Sequence, residues 1–162
     1  MSCPIEKIAE WIVESHRIVV FVGAGMSTES GIPDFRSPGG VWDRYDPQEF
    51  YYQRFLEDET AREKYWQMAT EMYESMKEAR PNPAHLAIAE LERLGKLDCL
   101  ITQNIDGLHF KAGNSADKVL ELHGTAMHVS CLDCHKRYDR DAIQARIAAG
   151  DKYILSDINP PQ

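Results

Sequence analysis

The stretch Ile18-Val19-Val20-Phe21-Val22-Gly23-Ala24-Gly25 decides the fold of this chain. A short run of β-branched and aromatic residues that ends in glycine predicts a buried strand followed by a tight turn. Residues 99–102 and 119–122 have the same short apolar character and predict two further strands. Because helical stretches separate these strands, the pattern predicts an α/β fold with a parallel sheet and crossover helices.

The helix before the second strand is marked at both of its ends. Asn82 suits the N-cap, Pro83 the first helical position and Gly95 the position after the last turn. Apolar residues at helical spacing in residues 5–12 predict another, amphipathic helix near the N-terminus.

Residues 37–80 contain no strand-like run and interrupt the alternation of strand and helix. Thr60 and Glu63 have the spacing of a capping box, which predicts a helix that begins there. One face of this helix would carry an apolar stripe, which we interpret as core packing: Tyr65, Met68, Ala69, Met72, Tyr73 and Met76.

Composition and charge exclude several classes of protein. The chain has 162 residues, which favours one domain or one domain with a small appendage. Its 18 basic and 26 acidic residues give a formal charge of -8 without a basic cluster, so nucleic acid is not an expected partner. The longest apolar run is residues 18–22, far too short for a membrane span, and no signal peptide is evident. We therefore expect a cytoplasmic protein without disulfides or membrane contact.

The glycine turn by itself is an ambiguous signal. Glycines at such a turn let the backbone approach a pyrophosphate, but Thr28 stands where the dinucleotide fingerprint has its third glycine. The segment that follows, residues 27–36, combines hydroxyls with Asp34, Phe35 and Arg36. It can be a polar surface loop with an internal Asp34–Arg36 contact. Alternatively, it folds over a nucleotide, with Phe35 excluding water and Arg36 reaching a phosphate or ribose.

Two more polar clusters follow predicted strands. Residues 102–109 (Thr-Gln-Asn-Ile-Asp-Gly-Leu-His) follow the second strand, and His123 follows the third. Ligands bind beyond the carboxyl ends of parallel strands, and Asn104 and Asp106 offer groups that read a carboxamide or ribose hydroxyls. The pKa of a histidine near neutrality suits proton transfer, so His123 is a candidate base.

Taken in order, these motifs resemble the sirtuin family. The resemblance runs from about residue 5 to residue 138 and is carried by residues 23–27 (Gly-Ala-Gly-Met-Ser), 31–36 (Gly-Ile-Pro-Asp-Phe-Arg), 81–85 (Pro-Asn-Pro-Ala-His), 102–109, 122–124 (Leu-His-Gly) and 131–134 (Cys-Leu-Asp-Cys).

The resemblance implies an NAD-dependent protein-lysine deacetylase, or more broadly a deacylase. Its partner would be an acyl-lysine protein or peptide, with NAD as co-substrate. The acyl oxygen would displace nicotinamide from the ribose, and a histidine base would then activate a ribose hydroxyl. Free lysine and O-acetyl-ADP-ribose would leave. The resemblance assigns the catalytic base to His123 and NAD binding to Gly23, Ala24, Gly25, Thr28, Asp34, Phe35, Arg36, Gln103, Asn104, Ile105, Asp106 and His123.

The resemblance also implies a domain organisation. Residues 1–36 and 81–127 would form the N-terminal part of a Rossmann-like domain with an incomplete sheet. Residues 37–80 would be a helical insertion of a small domain, and residues 128–162 the first half of a zinc-binding module. Cys131 and Cys134 would bind structural zinc, which takes four ligands, but no second cysteine pair follows. We therefore interpret the chain as the N-terminal portion of such an enzyme.

Other interpretations remain open at this stage. Residues 131–135 also match the covalent haem motif, which the lack of an export signal disfavours. A redox pair is disfavoured because residues 129–130 predict a strand, and His128 or His135 are weaker candidates for zinc. For function, the alternatives are an inactive nucleotide-binding fragment and a mono-ADP-ribosyltransferase, which shares the release of nicotinamide.

Overall fold

The computed structural model describes residues 4–151. These residues divide into two compact units: residues 4–30 with 80–124, and residues 31–79 with 125–151. The helices are α1 (Pro4–Glu14), α2 (Tyr52–Glu57), α3 (Glu59–Glu78), α4 (Pro83–Arg93), α5 (Leu108–Ala112) and α6 (Arg140–Ala148). The strands are β1 (Ile18–Val22), β2 (Leu97–Thr102), β3 (Val119–Glu121), β4 (His128–Ser130) and β5 (Arg137–Asp139).

The first unit is built on a parallel sheet in the order β1-β2-β3. Phe21 lies beside Ile101, which in turn lies beside Leu120, so these three side chains share one face. The prediction of an α/β fold with a parallel sheet is confirmed. All three strands end at the same edge, which carries the polar clusters noted in the sequence.

One face of this sheet packs against α4. Ile88 of α4 is buried against Leu97 and Leu100, and partly buried apolar side chains surround this cluster: Val20, Val22, Met26, Leu91 and Val119. The predicted ends of α4 are confirmed, since the Asn82 side chain accepts from the N–H groups of Ala84 and His85. Gly95 follows the helix with a φ of 69°, a conformation that favours glycine.

The opposite face of the sheet is exposed. Val19 and Phe21 of β1 are 57% and 62% exposed, and Leu120 of β3 is 51% exposed. Helix α1 forms where predicted, but none of its residues is buried. In the described residues, the first unit therefore has an apolar face that no element covers.

The second unit combines α2, α3 and α6 with an antiparallel hairpin of β4 and β5. The predicted capping box of Thr60 and Glu63 was wrong, because helix α3 begins earlier, at Glu59. The side chain of Asp58 accepts from the N–H groups of Thr60 and Ala61 and is therefore the N-cap. A carboxylate at this position also interacts favourably with the helix dipole, so it takes the place of the Thr60 hydroxyl.

The predicted apolar stripe of α3 forms much of the second unit's core. Met68, Tyr73 and Met76 are buried, whereas Tyr65 at the edge of the stripe is 38% exposed. Within residues 4–151, no helix is long and apolar enough to cross a membrane.

Candidate functional site

The glycine turn leaves open space at the end of β1. Residues Ala24–Ser30 form a 3-10 helix, in which the Met26 N–H donates to the Gly23 carbonyl at 3.0 Å. The Thr28 hydroxyl donates to the Gly25 carbonyl at 2.9 Å. A side chain at Gly23 would crowd Gln103, since its Cβ would lie 3.3 Å from Nε2, whereas a Cβ at Gly25 would meet no atom of residues 4–151 within 4 Å. Gly25 therefore borders room for a ligand.

A buried hydrogen-bond network joins this turn to the end of β2. The Ser27 hydroxyl donates to Asp106 Oδ2 at 2.7 Å, and Asn104 Nδ2 donates to Ser27 Oγ and to the Gly23 carbonyl, both at 3.1 Å. All three side chains are buried. Asp106 Oδ1 also accepts from the Leu108 N–H at 2.9 Å, at the start of α5. The network holds the Asp106 carboxylate and the Asn104 amide just beyond the end of β2.

Two members of this region were not among the predicted site residues. Ser27 lies in a quoted motif, but only the network reveals that its hydroxyl links Asp106 to Asn104. Asn82 was predicted only as a helix cap, yet its Nδ2 also donates to the Met26 carbonyl at 2.7 Å. It thereby ties the start of α4 to the glycine turn.

The end of β3 places His123 beside the backbone of Gln103. The Gln103 N–H donates to the Val22 carbonyl at 3.0 Å, and His123 Nδ1 lies 3.1 Å from the Gln103 carbonyl oxygen. A carbonyl only accepts, so this contact assigns the proton to Nδ1 and leaves the lone pair on Nε2. The His123 ring is exposed, which leaves Nε2 free to accept a proton from a ligand.

An open depression lies beside the glycine turn. It has a volume of about 590 Å³ and is lined by Phe21, Val22, Gly23, Ala24, Gly25, Met26, Ala84, Ala87 and Ile88. This volume is in the range of sites for small molecules and cofactors. Backbone groups at a glycine turn and the nearby polar network suit a nucleotide, so the residues present fit NAD.

The predicted residues Asp34, Phe35 and Arg36 lie in the second unit. Asp34 accepts from the Ser37 hydroxyl at 2.6 Å and from the Ser37 and Arg36 N–H groups, and these bonds lower the pKa of its carboxyl. The expected Asp34–Arg36 contact thus uses the backbone of Arg36. The Phe35 ring packs against Trp42 with centroids 5.2 Å apart, and Arg36 is exposed.

Cys131 and Cys134 lie in the turn between β4 and β5. The His135 N–H donates to the Cys131 carbonyl at 3.1 Å, which closes the turn, and His135 has a φ of 57°. N–H groups of Cys134 and Asp133 lower the pKa of the Cys131 thiol, which favours the thiolate that metals bind. No group of three or more metal-binding side chains occurs among residues 4–151. The described part of the chain thus brings together one cysteine pair and no larger set of metal-binding side chains.

Comparison with known proteins agrees with this geometry. The family model described as "Sir2 family" matches residues 23–157. An NAD-dependent protein deacetylase of Thermodesulfovibrio yellowstonii is 50% identical over 139 residues, which are 86% of this chain and 53% of that protein.

Two solved structures are also similar. A Sir2 homologue in complex with NAD is 45% identical, with a TM-score of 0.73, and the match covers 85% of this chain and 52% of that one. A Sir2 enzyme with a deacetylated p53 peptide and 3'-O-acetyl ADP ribose is 35% identical, with a TM-score of 0.81, covering 91% and 58%. The chain belongs to the Sir2 family. It spans about half the length of the relatives that it matches.

Proposed function

We propose that the protein to which these residues belong is an NAD-dependent protein-lysine deacetylase. The observation that carries the proposal is the buried Ser27–Asp106–Asn104 network beside an open glycine turn, with His123 Nε2 free at the next strand end. The relatives named as NAD-dependent deacetylases and the homologue bound to NAD support it.

The residues of the first unit divide the chemistry among them. The turn at Gly23–Gly25 suits the phosphates, because the open space at Gly25 lets the backbone of the turn come close to them. Asn104 and Asp106 suit the ribose and carboxamide, since both are fixed by hydrogen bonds before a ligand arrives. His123 Nε2 suits a ribose hydroxyl as its proton acceptor. Bound NAD would supply the ADP-ribose acceptor for the acyl group and nicotinamide as the leaving group.

We further propose roles for two parts of the second unit. Phe35 would shield the reacting centre from water and Arg36 would contact a phosphate or ribose, in keeping with their exposed positions on a braced loop. Cys131 and Cys134 would hold structural zinc with two ligands from outside residues 4–151, in keeping with the lowered pKa of the Cys131 thiol. The cytoplasmic location stays a prediction.

A fusion of this chain to the C-terminal half of the Thermodesulfovibrio yellowstonii relative tests the function. We expect release of nicotinamide from NAD that depends on an acetyl-lysine peptide, with O-acetyl-ADP-ribose as product. ADP-ribose attached to the peptide would indicate the mono-ADP-ribosyltransferase instead. NAD binding without turnover would indicate a nucleotide-binding fragment.

Replacing His123 by Ala in this fusion tests the proposed base. Loss of a general base costs about 10²–10⁴-fold in rate, while calorimetry should show NAD affinity close to that of the parent. His16→Ala, at an exposed histidine between α1 and β1, is the matched control and should retain activity. Near-normal turnover of His123→Ala would refute the assignment.

A further inference from the structure

Two histidines outside the predicted site form a buried pair in the first unit. His85 on α4 and His109 on α5 are 0% and 2% exposed, and their ring centroids lie 5.0 Å apart. The N–H of Asn82 donates to His85 Nδ1 at 3.4 Å, whereas His85 Nε2 and both ring nitrogens of His109 have no partner among residues 4–151. Fully buried imidazoles without a partner for their N–H groups are unusual, so the pair requires an explanation.

Burial keeps this pair uncharged. Desolvation lowers the pKa of both rings, and in His109 the neighbouring His85 lowers it further, to about 4, against an opposing effect of Asp106. Both rings are therefore neutral at physiological pH. A positive charge at either ring would lie near the Asp106 carboxylate and would compete with the Ser27 hydroxyl for it.

Asp106 connects the histidine pair to the hydrogen-bond network with Ser27 and Asn104. It is the one buried carboxylate in residues 4–151 and has no ion-pair partner there. Its Oδ1 accepts from the Leu108 N–H, so it caps the helix turn that carries His109. Because α5 packs against α4, the His109 ring on His85 holds the start of α5, and with it the carboxylate, in place.

We propose that His109, supported by His85, is a positioning residue. The uncharged pair fixes Asp106 at the start of α5 and leaves its charge directed to Ser27 and to a ligand. Where that ligand is NAD, the inference rests on the proposed function. The nicotinamide ring of oxidised NAD is cationic, so a carboxylate without an ion-pair partner favours its binding.

The charge state of the pair is measured in the fusion described above by mass spectrometry of histidine C2 hydrogen–deuterium exchange across pH. This measurement requires neither NAD binding nor turnover, so it decides the point even if the proposed function fails. We expect C2 exchange to be slower at His85 and His109 than at the exposed His16, and the pH midpoint of the pair to lie below the ordinary histidine value of about 6.5. A pH midpoint of the pair at or above about 6.5 would overturn the proposal.

The positioning role is measured by kinetics in the fusion described above. His109→Ala should raise the KM for NAD about tenfold and leave the KM for the acetyl-lysine peptide within about twofold. His109→Phe keeps an uncharged ring and should restore the KM for NAD to within about threefold of the parent. A merely structural role lowers the active fraction without separating the two KM values.

Two results would overturn the role of His109. One is an equal rise in both KM values for His109→Ala, and the other is a His109→Phe variant no better than the alanine variant. If His109→Ala does not fold, His109→Asn takes its place. His16→Phe, at an exposed position between α1 and β1, is the matched control and should leave both KM values unchanged.

Discussion

His109 gives the molecule a dependence on pH that can be worked out from its burial. Desolvation and the neighbouring His85 lower its folded-state pKa to about 4, against about 6.5 in an unfolded chain. Between these values the unfolded chain binds a proton that the folded chain does not. Stability is therefore full above pH 6.5 and decreases as the pH falls towards 4, by about 3 kcal/mol in total.

We expect His109→Phe to remove most of this dependence. Urea unfolding at pH 7.5 and pH 5 should show a loss of about 2 kcal/mol in the parent that is much smaller in the variant. Carboxylates titrate in both proteins, so the difference between them isolates His109. An identical loss in parent and variant would mean that His109 is protonated in the folded chain.

For single residues, the sequence predicts roles that depend on neighbouring positions and misses contacts between distant segments. Asn82 was predicted as the N-cap of α4 because capping depends on the next three residues. Its second bond, to the Met26 carbonyl, spans 56 positions, and no local pattern indicates it. The Ser27–Asp106 bond spans 79 positions, so only the fold brings these two motifs together.

Among the elements, the loop after the 3-10 helix depends on Gly40. The N–H groups of Val41 and Trp42 donate to the carbonyls of Asp34 and Phe35 at 2.9 and 3.0 Å, which folds the chain back tightly. A Cβ at Gly40 would lie 2.8 Å from the carbonyl oxygens of Asp34 and Ser37. Backbone atoms cannot move aside as a flexible side chain can, so the loop has room only for glycine.

We expect Gly40→Ala to destabilise the second unit by about 1–3 kcal/mol. The loop that carries Phe35 and Arg36 should also become more accessible, because its return bonds would lengthen. Thermal unfolding and limited proteolysis measure the two effects. Gly39→Ala is the comparison for backbone strain without crowding, since its Cβ would meet no atom of residues 4–151 within 4 Å, while its φ of 83° favours glycine. A Gly40→Ala variant as stable as the parent would contradict this account.

Element types followed from the sequence, while some of their ends did not. The three parallel strands and α4 were predicted because apolar runs and caps are local signals. The start of α3 was misplaced because Asp58 and Thr60 are both good caps, and the sequence does not show which side chain meets the free N–H groups. Helix α1 was correctly predicted as amphipathic, but its apolar face is exposed in the described residues.

For the whole molecule, the uncovered apolar face of the first unit has the largest consequence. Val19 and Phe21 on β1 share it with Leu120 on β3, and each of these side chains is more than half exposed. In the described residues β1 is also an edge strand of the sheet, with backbone groups free on one side. Exposed apolar edges invite pairing with other chains.

We therefore expect a polypeptide of these 162 residues alone to associate and to lack deacetylase activity. Its two cysteine ligands would bind zinc weakly and could share the ion with Cys131 and Cys134 of a second copy, so part of the association should respond to a chelator. Light scattering measures the association, metal analysis the zinc stoichiometry, and nicotinamide release in the presence of acetyl-lysine peptide the activity.

Phe21→Lys should reduce the association by charging the exposed face, whereas Lys7→Gln on α1 is a control outside the sheet. A monomer with one tightly bound zinc ion and measurable turnover would refute this expectation, because the described half of the fold would then suffice for catalysis.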